Sequence, residues 1–158
     1  MKLLNKNIPD FKLNNQDDKL IESKNFIGNW TLLYFYPKDD TPGCTQQACG
    51  IRDNYESFQK AKVSIYGINA DSSKSHKKFK EKYELPFDLL SDPERTVIEM
   101  FEVWGEKSFM GKKYTGIFRN SFLINPEGIL VKIYENVKPA EHADTILKDV
   151  AELTGKLS

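Results

Sequence analysis

Residues 30–53 read WTLLYFYPKDDTPGCTQQACGIRD, and the two halves of this stretch have different characters. Trp30 to Tyr36 is an unbroken apolar and aromatic run, the pattern of a strand buried on both faces. Thr41 followed by Pro42 is a helix start, an N-cap with proline at the first helical position, where a missing N–H costs nothing. The helix is expected to run through Tyr55 to about Phe58. A buried strand that passes through a short polar loop into a helix is a unit of a layered α/β fold.

The flanking sequence extends the pattern. Val63 to Asn69 is a second buried strand, and Ser73 to Tyr83 is a lysine-rich exposed helix. Phe87 to Leu90 is a short strand, followed by a helix from Pro93 to Phe101. Trp104 to Gly116 reads as a glycine-rich loop before a strand over Asn120 to Asn125. Asn125-Pro126-Glu127-Gly128 is a turn, Ile129 to Tyr134 its hairpin partner, and a last helix spans about Pro139 to Leu153. Towards the N-terminus, Phe11 to Glu22 is a short hairpin that turns at Asn14 to Asp18. No repeat, low-complexity tract or linker divides residues 1–158, so one domain is expected. The order predicts an α/β three-layer sandwich with a mixed central β-sheet and an N-terminal hairpin. That order is compatible with a thioredoxin-like fold, although periodicity alone does not separate it from other small α/β folds.

Composition narrows the function classes. Hydrophobic residues make up 39% of the 158, a globular rather than a disordered balance. Lys plus Arg number 23, as do Asp plus Glu. Zero net charge provides no electrostatic footprint for nucleic acid or an anionic membrane. No apolar stretch approaches the ~20 residues that span a bilayer. The start, MKLLNKNIPDF, lacks an apolar core and a small-residue cleavage site, so it does not read as a signal peptide. In a reducing compartment a pair of cysteines is catalytic, redox-active or metal-binding more often than structural. A cytoplasmic location is expected.

Cys44 falls in the first turn of the helix that begins at Thr41, where unpaired N–H groups and the helix dipole favour a thiolate. The competing view is a buried thiol acting as a small hydrophobe. Ionisation alone supplies little rate: a free cysteine is ~3% thiolate at pH 7, so full ionisation gains only ~30-fold. Fast chemistry needs groups that place the substrate and stabilise charge on a departing atom. Thr41 supplies a hydroxyl locally, and Arg119 or Arg52 could supply the cation; the alternatives are a plain N-cap and surface ion pairs. Cys49 follows five positions later. On one regular helix the two Cα atoms stand ~8.7 Å apart, beyond the ~4.4–6.8 Å of a disulfide, so any bond between them requires local unwinding. Structural zinc wants four ligands, whereas His76 and His142 sit on separate polar helices and read as solvated surface residues. Cys-x-x-Cys reductase chemistry is disfavoured because four residues intervene.

The segment YPKDDTPGCTQQACGIRD, Tyr36 to Asp53, resembles the active-site segment of the peroxiredoxins, more narrowly of their bacterioferritin comigratory protein, or Q-type, branch. The pattern Pro37-x3-Thr41-x2-Cys44 matches the signature of that family position by position. A second match is VWGEKSFMGKKYTGIFRNSFLI, Val103 to Ile124, in which Arg119 stands where the family has its active-site arginine. The resemblance runs from NIPDF to the final helix.

This resemblance implies a thioredoxin-dependent peroxidase that reduces hydrogen peroxide and organic hydroperoxides in antioxidant defence. Cys44 would be the peroxidatic cysteine and become a sulfenic acid, with Thr41 and Arg119 binding the peroxide oxygens and Pro37 shielding the intermediate. Cys49 matches the resolving cysteine, so the product would be an intramolecular Cys44–Cys49 disulfide, reduced by thioredoxin. No cofactor or metal is implied, and an internal resolving cysteine suits a monomer. Many relatives carry Glu where this chain has Gln47, a residue expected to help orient the arginine; Gln47 still accepts a hydrogen bond but brings no charge. Asn120 and Asn125 stand where Ser or Thr and Asp are frequent, and Arg52 is read as structural. The alternative from another class is a peroxide-sensing redox switch or binding module, which would oxidise once and stop.

Overall fold

The structure, a computed structural model, describes residues 1–155. Its strands in chain order are β1 (Lys12–Asn14), β2 (Leu20–Glu22), β3 (Trp30–Phe35), β4 (Val63–Asn69), β5 (Asp88–Ser91), β6 (Trp104–Phe109), β7 (Lys112–Ile117), β8 (Ser121–Ile124) and β9 (Leu130–Tyr134). The helices are α1 (Pro42–Asp53), α2 (Tyr55–Lys60), α3 (Ser73–Tyr83), α4 (Thr96–Met100) and α5 (His142–Thr154), with a 3-10 turn over Ser23–Phe26.

Seven strands form one mixed sheet in the order β2-β1-β5-β4-β3-β8-β9. β3, β4 and β5 run parallel, while β8 pairs antiparallel with β3 and β9, and β1 antiparallel with β2 and β5. The unbroken apolar run of β3 follows from its central place, because successive side chains must enter opposite cores. Leu32, Tyr34 and the following Tyr36 join one core with Ala48, Ile51, Phe58, Phe79 and Ile146 of the helices α1, α2, α3 and α5. Leu33 and Phe35 join the other, with Phe11, Phe26, Val97, Phe101 and Phe122. The sheet is therefore the middle of three layers, as the element order predicts.

Several boundaries and one whole element differ from expectation. The expected helix to Phe58 breaks at Asn54, whose side-chain amide donates to the Gly50 carbonyl at 2.8 Å. The helix expected from Pro93 starts only at Thr96, because the Asp92 carboxylate accepts the N–H groups of Thr96, Val97 and Ile98. The region expected to be a glycine-rich loop is a two-stranded hairpin, β6 against β7. Its glycines belong to the hairpin: Met110 and Gly111 have φ of 52° and 79°, the left-handed pair a two-residue turn requires. Gly105 pairs with Gly116, and a Cβ on Gly105 would stand 2.7 Å from the Phe118 ring.

The two histidines are also corrected: His76 is 0% and His142 2% exposed. Both lie on the inward stripe of an otherwise polar helix, His76 one turn before Phe79 and His142 one turn before Ile146. Their rings are hydrogen-bonded at both nitrogens, which is what makes burial of such polar groups tolerable. Among the described residues, no helix is long and apolar enough to cross a membrane, and no group of three or more His, Cys, Asp or Glu could hold a metal ion.

Candidate active site

The loop that leaves β3 is tied down before it reaches α1. Asp39 accepts hydrogen bonds from the Tyr36 hydroxyl (2.6 Å) and the Ser75 hydroxyl (2.8 Å), and His76 Nδ1 lies 2.7 Å from its carboxylate. The other ring nitrogen of His76 faces the Leu90 carbonyl at 3.0 Å. Both ring nitrogens thus face oxygen acceptors. Burial would push the Asp39 carboxyl up, but the hydrogen bond and charge of His76, with the two hydroxyls, hold it below its ordinary value. Pro37 lies half-buried in this loop. Asp40, in a left-handed conformation at φ 57°, accepts from Lys82 and the Tyr83 hydroxyl of α3, each at 2.7 Å.

Thr41 is the N-cap of α1, but its hydroxyl donates to the Lys38 carbonyl at 3.0 Å rather than capping the helix. The first intrahelical bond is Thr45 N–H to the Thr41 carbonyl at 2.8 Å. The N–H groups of Gly43 and Cys44 therefore precede the regular ladder, in the turn where the helix dipole favours negative charge. Cys44 is 1% exposed and lies on the buried stripe of α1 with Gln47, Ala48 and Ile51. Cys49 is off that stripe, half-buried, and both thiols are free.

Arg119 precedes β8, where the backbone is pinned from two directions. Its carbonyl accepts from Val137 at 2.8 Å, and the Asn120 carbonyl from Phe35 at 2.9 Å. From there the guanidinium reaches α1: Nη2 donates to Cys44 Sγ at 3.3 Å, and Nη1 to Gln47 Oε1 at 2.8 Å. A Cβ at position 43 would stand 3.1 Å from Nη2, so the guanidinium lies against a bare glycine. Arg52 points elsewhere, donating to the Tyr83 carbonyl at 2.8 Å and to Asp53, which joins α1 to α3.

Behind Gln47 the polar contacts continue inward. Its Nε2 lies 3.1 Å from His142 Nδ1, and His142 Nε2 lies 2.9 Å from Ser121 Oγ. Burial, then the positive charge of Arg119, pushes the His142 ring down to about 4, so it is neutral at pH 7. Sequence reasoning did not connect His142 or Ser121 to the cysteine. The available signal was helical spacing, since His142, Ile146 and Val150 share one face of α5. The assembled groups hold the Cys44 sulfur between first-turn N–H groups and a fixed cation, an arrangement suited to displacement at an electrophilic oxygen.

Residues 4–133 match the AhpC/TSA family. The chain is 46% identical over 144 residues to peroxiredoxin Bcp of Escherichia coli K12, covering 91% of this chain and 92% of that one. It is 43% identical over 148 residues to peroxiredoxin Bcp of Bacillus subtilis, covering 94% of both. The solved bacterioferritin comigratory protein of Xanthomonas campestris superposes with a TM-score of 0.85 at 36% identity, over 90% of this chain and 91% of that chain. A structure of Xanthomonas campestris peroxiredoxin Q superposes with a TM-score of 0.84 at 37% identity, over 90% of each.

Proposed function

The chain belongs to the AhpC/TSA family, among its Bcp and Q-type peroxiredoxins of thioredoxin-like fold, and from that premise we propose that Cys44 is the thiol on which it reduces hydroperoxides. The protein is a thiol peroxidase. The observation that carries the assignment of Cys44 is the Arg119 Nη2 contact, 3.3 Å from a sulfur in the first turn of α1.

In the proposed reaction the Cys44 thiolate attacks one peroxide oxygen and the O–O bond breaks. The sulfur becomes a sulfenic acid, and the departing oxygen leaves as water or an alcohol after taking up a proton. Arg119, which can only donate, stabilises charge on the oxygens. The Thr41 hydroxyl spends its proton on Lys38, so towards a peroxide it acts as an acceptor for the O–H. Pro37 walls the loop side of the site. Cys49 then attacks the sulfenic sulfur, releasing water and forming the Cys44–Cys49 disulfide, which a thioredoxin-type dithiol reduces. Residues 1–158 act in this scheme as one monomeric domain in the cytoplasm, where such dithiols are kept reduced.

The test is NADPH-coupled turnover with thioredoxin and its reductase, on hydrogen peroxide and an alkyl hydroperoxide. Sustained consumption is expected, and Cys44→Ser should abolish it, since a hydroxyl cannot replace the thiolate. Turnover in that variant beyond a trace refutes the assignment. A single stoichiometric oxidation without turnover identifies a peroxide-sensing switch instead.

A further inference from the structure

The polarity of the hydrogen-bond chain behind Arg119 can be read from one end. Arginine carries donors only, so the Gln47 atom that meets Nη1 at 2.8 Å must be the carbonyl oxygen. The amide nitrogen of Gln47 then faces His142 and must donate, so Nδ1 of that ring is the unprotonated acceptor at 3.1 Å. The proton of the neutral ring is on Nε2, directed at Ser121 Oγ at 2.9 Å. Every contact in this chain is buried except at the guanidinium, so no member exchanges its partner for bulk water.

The chain matters because Gln47 is an amide. A carboxylate accepts through either oxygen, whereas an amide accepts through one end and donates through the other. The terminal torsion of glutamine is broad and twofold, so nothing local selects the productive orientation. Rotated by half a turn, Gln47 would present its NH2 group to Nη1, donor against donor. We propose that His142 is a positioning residue for the peroxide step. Its unprotonated Nδ1 holds the Gln47 amide with Oε1 towards Arg119, and thereby holds the guanidinium against Cys44 Sγ. This inference rests on the reading of Arg119 as the cation of the peroxide site.

The test combines one direct observation with one mutant cycle. In the full-length reduced protein, 15N NMR of the His142 ring should show Nδ1 without a proton and Nε2 with one. The second-order rate of Cys44 oxidation by hydrogen peroxide is then measured in Gln47→Leu, His142→Leu, the double variant and His142→Asn. Loss of one well-aligned hydrogen bond in such a chain should slow oxidation ~10-fold in either single variant. The double variant should be no slower than Gln47→Leu, because both losses act through one amide. His142→Asn, whose side-chain oxygen can take the place of Nδ1, should recover most of the rate even if His142→Leu fails to fold. A proton on Nδ1, additive losses in the double variant, or a normal rate in His142→Leu beside a slow Gln47→Leu overturns the proposal. Arg119→Met, run in parallel, separates the two failures. If that variant oxidises at the normal rate, the underlying reading of Arg119 is wrong; if it is slow while His142→Leu is not, only the positioning role fails.

Discussion

Gly43 and Arg119 show how little freedom the surroundings of Cys44 Sγ have. The guanidinium bonds Cys44 Sγ with one nitrogen and Gln47 with the other, and a methyl group at position 43 would crowd it at 3.1 Å. A cation so held costs no reorganisation when charge develops on an oxygen beside it. Arg119→Met should therefore lower the second-order rate with peroxide by ~10²–10³-fold, the usual loss for one preformed electrostatic contact. Loss of thiolate alone is capped at ~30-fold. Measuring the thiolate fraction and the oxidation rate on the same variant distinguishes the two effects. An unchanged rate would leave Arg119 as a structural link between the β8 approach and α1.

At the scale of the element, α1 both presents Cys44 and keeps it from Cys49. The intact helix holds their Cα atoms ~8.7 Å apart, against ~4.4–6.8 Å in a disulfide. Its glycines, Gly43 and Gly50, each weaken a helix by ~1 kcal/mol relative to alanine, so the first turns are inexpensive to melt. Unwinding must also pull Cys44 off the stripe that it shares with Ala48 and Ile51. In the disulfide form, amide exchange over residues 43–50 should be much faster than in the reduced form, with β3 and β4 unchanged. In Cys49→Ser the sulfenic acid should persist, visible to a sulfenate-selective reagent and prone to over-oxidation. Equal protection in both redox states contradicts unwinding, and full thioredoxin-coupled turnover in Cys49→Ser would mean that the reductant attacks Cys44 directly.

Over the whole molecule, each buried histidine ties the segment around Cys44 to a different part of the fold. His76 joins the loop after β3 to α3 and β5, and His142 joins α1 to β8 and α5. The His142 ring has a consequence for stability. Its folded value is about 4, against an ordinary 6.5. Between these values the unfolded chain binds a proton that the folded chain refuses, so stability is complete above about pH 6.5 and falls as pH drops towards about 4. At ~1.4 kcal/mol per unit the loss reaches about 3 kcal/mol. Urea unfolding of reduced protein at steps from pH 7 to pH 4 should show this decline, and it should be shallower in His142→Asn. Comparing the two proteins cancels Asp39 and Asp92, whose carboxyls are held in opposite directions. Identical slopes would mean that His142 titrates alike in both states.

Local pattern was sufficient wherever the physics is local. The apolar run of β3 must be buried on both faces, and Thr41-Pro42 must open a helix, so Cys44 had to fall in its first turn. The cysteine spacing likewise excluded a disulfide on an intact helix. The β6–β7 hairpin was obscured because glycine serves both loops and tight turns, and only the pairing of Gly105 with Gly116 and the φ values at Met110 and Gly111 decide between them. The polar composition of α3 and α5 points the histidines to solvent, whereas helical spacing places His76 beside Phe79 and His142 beside Ile146 on the buried face. Motif resemblance singled out Arg119, but its geometry could not be read locally. Arg119 and Cys44 lie 75 positions apart and Gln47 and His142 95, so their contacts exist only because β3, β8, α1 and α5 pack around one sheet. Which nitrogen of His142 carries the proton is decided only there, since it depends on the Gln47 amide, a donor that the fold brings from α1.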